Sequence, residues 1–168
     1  MVSQYQKVEW GKLVLLKGII LRHQFILWMA LQRKLLTVDK VIKWGITVQT
    51  ECVLCDTLLE ETFDHLFFAC PYSQHIWAAI LTWLGVQRSI GDCNQEVNWL
   101  LQRISHSRPR ACIMGFCFAA MVYHIWAERN ERRFSNKQSS SLKRLKDVVV
   151  QLHIEGQNHS KWKSLWRN

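Results

Sequence analysis

Four side chains in the stretch ECVLCDTLLEETFDHLFFACPYSQHIW can bind a borderline-soft metal ion: Cys52, Cys55, His65 and Cys70, spaced Cys-x2-Cys-x9-His-x4-Cys. Zinc takes four thiolate or imidazole ligands in a tetrahedron, and a Cys-x2-Cys step suits a tight turn that brings two sulfurs to one ion. The x9 interval lets the chain leave and return. A helix beginning near Thr62 places His65 one turn in and Cys70 at its far end, a second pair. Reduced cysteines are often just buried, and a lone Cys-x2-Cys also serves as a redox pair. The complete set of four ligands within nineteen residues favours structural Zn2+, with every position filled by protein. His75 is a rival ligand, ranked below His65 because it lies past Pro71 in what should be the next helix.

The elements that must position these residues read as helical nearly throughout. Between Leu21 and Leu35, Phe25, Trp28, Met29 and Leu31 recur among polar residues in a helical rhythm. Thr37 can cap a short helix through Trp44, with Gly45 as the stop. After the ligand segment, Pro71 suits a first helical position, and Ile76, Trp77, Ile80, Leu81 and Leu84 form an apolar stripe ending at Gly85. Residues 86–95 read as a loop, 95–104 as a short helix and 109–134 as a long one. FSNKQSSS is polar and small, so 135–141 is expected as a linker between a helical zinc-binding domain, 1–134, and a helix with tail, 142–168. In that last helix Ser141 is the expected cap and Gly156 the stop, with Leu142, Leu145, Val148, Val149 and Leu152 on one face; Trp162 and Trp166 suggest a docked tail. The expected fold is all-α, a small zinc-stapled helical domain with an irregular or β-turn metal loop and a C-terminal amphipathic helix. The tryptophans at 28, 44, 77, 83 and 126 sit on helical stripes, which predicts core packing rather than base stacking.

A chain of 168 residues, half of them apolar, can bury a core and is not a disordered linker. The start, MVSQYQKVEW, lacks the apolar core of a secretory signal. That favours a reducing nuclear or cytoplasmic setting, where clustered cysteines are more often ligands than disulfides. Cys93, Cys112 and Cys117 are expected as small core residues. The most apolar run, ACIMGFCFAAMV at 111–122, falls short of the roughly 20 residues a bilayer needs, so no membrane span is expected.

Charge is unevenly distributed along a chain with 22 Lys and Arg against 13 Asp and Glu. Residues 52–75 hold no Lys or Arg and four acids, Asp56, Glu60, Glu61 and Asp64; residues 103–168 hold thirteen basic and four acidic side chains. Three thiolates on one divalent ion leave about −1 before those acids are counted, so the metal loop repels phosphate. RNA or DNA contacts are expected instead from Arg129, Arg132, Arg133, Lys137, Lys143, Arg144 and Lys146, with Trp126 and Phe134 nearby. Against this stands helical pairing of Glu128 with Arg132. Lys40 and Lys43, beside Arg33 and Lys34, form a weaker patch. No catalytic constellation is found: the sequence has no Asp-Asp pair, glycine-rich phosphate loop, Gly-x-Ser-x-Gly or His-Glu-x-x-His. Glu60 and Glu61 read as solvated acids, and no enzyme activity is expected of the chain alone.

Three segments, FILWMALQRKLLTVDKVIKWGI at 25–46, CVLC at 52–55 and EETFDHLFFACPYSQHIW at 60–77, together resemble the zinc-binding domain that follows the reverse transcriptase in plant LINE-like (non-LTR) retrotransposons. HIWAERNERRF at 124–134 is similar to the segment that in such elements leads towards an RNase H-like region. Leu21 and Leu36 depart from the family's usual residues, and neither is a ligand. The resemblance implies a non-catalytic module that helps a reverse transcriptase hold RNA template or target DNA. Its other implied partners are the reverse transcriptase or RNase H-like modules of the parent element. A structural scaffold, a protein-interaction domain or an inactive retroelement remnant are the competing readings.

Overall fold

The computed structural model describes residues 9–104 and 109–158. Among these, helices α1 (Gly11–Val14), α2 (Leu21–Leu31), α3 (Val38–Lys43), α4 (Pro71–Trp83), α5 (Cys93–Ile104), α6 (Pro109–Ser135) and α7 (Ser141–Asn158) are joined by loops, with a π-helical turn at His65–Ala69. The described residues form no strand, only one antiparallel bridge between Glu51 and Glu60. The all-α expectation holds.

Helix α6 is the axis of the fold. Phe116, Phe118, Ala119, Ala120, Met121, Val122 and Ile125 are all buried on it, and a helix apolar on every side must be enclosed. Helices α2, α4, α5 and α7 pack around it. Residues Arg110–Ser135 are long and apolar enough to cross a bilayer by length and composition, but 78% of the most apolar window is buried in the fold, so this is a core helix.

Several boundaries follow local chemistry. Pro71 opens α4, Ile76, Trp77, Ile80, Leu81 and Leu84 are buried, and Gly85 takes φ 70° at its end. Gly45 likewise takes φ 79° past α3. Others differ from the sequence reading. Helix α2 stops at Leu31 because Arg33 turns the chain at φ 54°. The Lys40 ammonium, donating to the Arg33 and Leu35 carbonyls, holds that turn. Helix α5 starts at Cys93: Asp92 Oδ1 accepts from the Gln95 N–H at 2.9 Å and Gln95 Oε1 from the Asp92 N–H at 3.0 Å. This reciprocal cap was legible as Asp-x-x-Gln. Ser140, not Ser141, caps α7 by accepting from the Lys143 N–H, and the helix runs through Gly156 to Asn158. Its inward face is Arg144, Val148 and Leu152, while Leu142 is 57% exposed. Residues 136–140 lie between helices, yet α7 packs on α4 and α6. Trp162 and Trp166 lie outside the described residues.

Of the tryptophans expected in the core, Trp77 is buried and Trp126 half-buried, but Trp28, Trp44 and Trp83 are exposed. On α2 the buried residues are His23, Leu27 and Ala30, which turns Phe25 and Trp28 outward. Helix α3 buries only Val38, leaving Trp44 beyond its end in solvent. Cys93 and Cys117 are core residues as expected, whereas Cys112 is half-buried.

Buried polar clusters interrupt the core, two of them away from the metal loop. The Glu96 carboxylate, fully buried, accepts from Trp77 Nε1, Arg88 and the Gly91 N–H at 2.6–2.8 Å. His23 is also fully buried, 4.4 Å from the Tyr123 ring, and beside His124, whose Nε2 meets Gln151 Oε1. Burial, then His124 and Arg22, push the His23 imidazole from 6.5 down to about 3. The unfolded chain therefore takes up this proton well before the folded one. His23 leaves stability intact above about pH 6.5 and costs up to about 1.4 kcal/mol per pH unit as pH falls toward its folded value. Replacing His23→Leu should flatten the pH dependence of the urea midpoint across that acid window, relative to the parent. An unaltered slope would show that the imidazole is already protonated in the fold.

Candidate metal centre

The chain reaches the metal loop through paired backbone. The Cys52 N–H donates to the Leu59 carbonyl at 2.8 Å and the Glu61 N–H to the Thr50 carbonyl at 2.9 Å, closing a hairpin at whose base Cys52 sits. Thr62 then caps the next turn, its Oγ1 accepting from the His65 N–H at 3.1 Å, so the helix begins where the sequence reading placed its start. His65 and Cys70 are five residues apart, which in a regular α-helix would set them about 140° apart around the axis. The π turn between them removes that mismatch. The Cys70 N–H donates to the His65 carbonyl at 2.6 Å, and such widened turns recur at functional sites.

The sulfurs of Cys52, Cys55 and Cys70 and a ring nitrogen of His65 all lie within 4.8 Å of one another. Cys52 Sγ is 3.9 Å from Cys70 Sγ, and Cys55 Sγ is 3.3 Å from His65 Nε2. With Zn–S and Zn–N bonds of about 2.3 and 2.0 Å, tetrahedral edges are about 3.8 Å between sulfurs and about 3.5 Å between sulfur and nitrogen. The donors therefore fit one zinc ion. Their protonation also suits it: burial holds the His65 imidazole below its ordinary pKa, hence neutral. The Cys52 thiol, donating to Cys70 Sγ and buried, is pushed up, while the same hydrogen bond holds Cys70 down. A cation between them takes the place of the shared proton. Cys52, Cys70 and His65 are buried and Cys55 is half-buried. The rival His75 is exposed and meets Ser141 Oγ instead.

The cationic cluster divides in two. Arg129, 3% exposed, and Arg133 both pair with Glu61, which is fully buried rather than solvated as the sequence reading had it. Glu61 Oε1 also accepts from the Val38 N–H, tying α3 to the hairpin. Arg132 and Arg144 flank buried Glu128, and Arg144 also meets Glu131 and Asp147. Burial works to raise the Glu128 carboxyl, but the Ser139 N–H and both guanidiniums outweigh it and hold it below the usual range. The arginines are thus internal ties, with guanidiniums already occupied by carboxylates and carbonyls. Lys137, Lys143 and Lys146 are exposed, and no carboxylate among the described residues pairs with them. In the weaker patch, Arg33 pairs with Asp64 and Lys40 serves the Arg33 turn, while Lys34 lies over the Trp28 ring.

Fold and site together define a helical domain stapled by a Cys3His zinc centre, with no coordination position left for a reacting water. The family model described as zinc-binding in reverse transcriptase matches residues 1–77, a span that holds all four ligands. Zinc is the ion that this family binds and these donors fit. No curated protein and no solved structure matches the chain.

Proposed function

We propose that this chain is the non-catalytic zinc-binding module of a reverse transcriptase, of the kind found in plant LINE-like (non-LTR) elements, and that it holds an RNA or DNA backbone without sequence preference. The observation that supports this is a set of exposed lysines, at the start of α7 and in the loop before it, that meet no carboxylate among the described residues. Seven cations, 129 to 146, face four carboxylates, Glu61, Glu128, Glu131 and Asp147, so the balance of 7 − 4 leaves +3. The exposed Lys137, Lys143 and Lys146 carry that excess. About three phosphate contacts give a slope of log affinity against log salt near −2.7 on duplex and near −2.1 on single strands. Polynucleotide binding by the zinc-loaded chain, measured by fluorescence anisotropy over a salt series, should show such a slope. It should be lost when the three lysines become alanine while the fold persists. Binding without salt dependence, or none, would refute the reading. Such a module would work in a reducing nuclear or cytoplasmic setting.

A protein-interaction role is favoured by a different observation. An apolar groove of about 320 Å3 runs between α3 and the end of α6, lined by Leu36, Val41, Val48, Trp126 and Phe134. Phe134 is 75% exposed beside it. Docking there of the polymerase or RNase H-like part of a parent element would be abolished by the uncharged Phe134→Ser, which leaves the lysines and their salt slope unchanged.

A further inference from the structure

The family match ends at residue 77, yet the side chain that joins both halves of the ligand set lies on α6, at Arg132. Its Nη1 donates to the Val53 carbonyl at 3.0 Å and the Leu54 carbonyl at 3.4 Å, inside the Cys52–Cys55 turn. Its guanidinium carbon lies 4.9 Å from the centre of the Tyr72 ring, two residues beyond Cys70. Its remaining nitrogens are fixed from below, Nε on Glu128 Oε1 at 2.7 Å and Nη2 on the Ser139 carbonyl at 3.0 Å.

These contacts reach the ligands through single peptide units. The Val53 and Leu54 carbonyls belong to the two residues that separate Cys52 from Cys55, so holding them sets how the two sulfurs are presented. Tyr72, under the same guanidinium, is joined to Cys70 through Pro71 alone. A guanidinium bonded to a carbonyl fixes the plane of that peptide, and with it the direction in which the neighbouring ligand side chain leaves the backbone. We propose that Arg132 is a positioning residue for the zinc centre, locking the Cys52–Cys55 turn and the Cys70–Tyr72 segment in register before the ion arrives. Such outer partners of metal ligands change affinity about 10- to 100-fold when removed.

Zinc dissociation constants of the full chain, measured by competition with a chromophoric chelator, test this. Arg132→Met should weaken zinc about 10- to 100-fold and alter the Co2+ thiolate charge-transfer spectrum, with Arg132→Lys between it and the parent. Lys143→Met removes a charge from the same surface without touching either ligand segment and should leave both readouts unchanged. A folded Arg132→Met chain with parental zinc affinity and cobalt spectrum would overturn the proposal, as would equal weakening by Lys143→Met. Should Arg132→Met not fold, Glu128→Gln, which keeps the guanidinium but loosens its anchor, should weaken zinc in the same direction; unchanged affinity there overturns the proposal too.

Discussion

Cys55→Ser and His65→Ala should each abolish stoichiometric zinc binding and unfold at least residues 50–75. Each removes one of four donors that lie within 4.8 Å of one another, and a structural zinc ion contributes on the order of 10–16 kcal/mol of apparent binding energy at neutral pH. That is comparable to the whole stability of about 5–15 kcal/mol typical of a domain. Within the hairpin itself there is one isolated bridge and a few backbone hydrogen bonds, and the arginines of α6 hold it only from outside. Metal analysis should find about one zinc per parent chain and far less in either variant. Amide exchange should localise the new exposure to the hairpin and π turn before it reaches α5, whose Asp92–Gln95 cap and Glu96 cluster are independent of the ion. A variant that kept its zinc would remove the tetrahedron from the account of this fold.

The second large effect is expected at Glu61. Its carboxylate, fully buried, is the shared partner of Arg129 at 2.6 Å and Arg133 at 3.0 Å, whose side chains are only 4% and 13% exposed. Glu61→Ala strands two guanidiniums and the Val38 N–H, and breaking a buried pair from one side costs about 3–5 kcal/mol. The urea midpoint of the zinc-saturated protein should fall accordingly. Removing Glu61 on an Arg129→Ala background should cost less than on the parent, because one uncompensated charge is already gone. Additive losses would mean that the two side chains are held by something other than each other.

This network also decides which variants can test the proposed binding of nucleic acid. Alanine at Arg132, Arg133 or Arg144 breaks ties to Glu128, Glu61 and the hairpin carbonyls, so lost binding in such variants would report unfolding. Lysine variants at 137, 143 and 146 separate contact from stability.

By itself the sequence determined what is local. Four ligands within nineteen residues, a helix start near Thr62, Pro71 at a first helical position and the stripe from Ile76 to Leu84 are decided by neighbours a few bonds apart, and all stand in the fold. Only the tertiary structure decided what each charge and ring faces. Glu61 and Arg129 are 68 residues apart, and nothing in either segment encodes that docking α6 against the hairpin buries them together. Residue type made the arginines look like a phosphate surface and Trp28 and Trp44 look like core. Periodicity says which residues share a helix face, but the partner that covers a face comes from the packing of other helices.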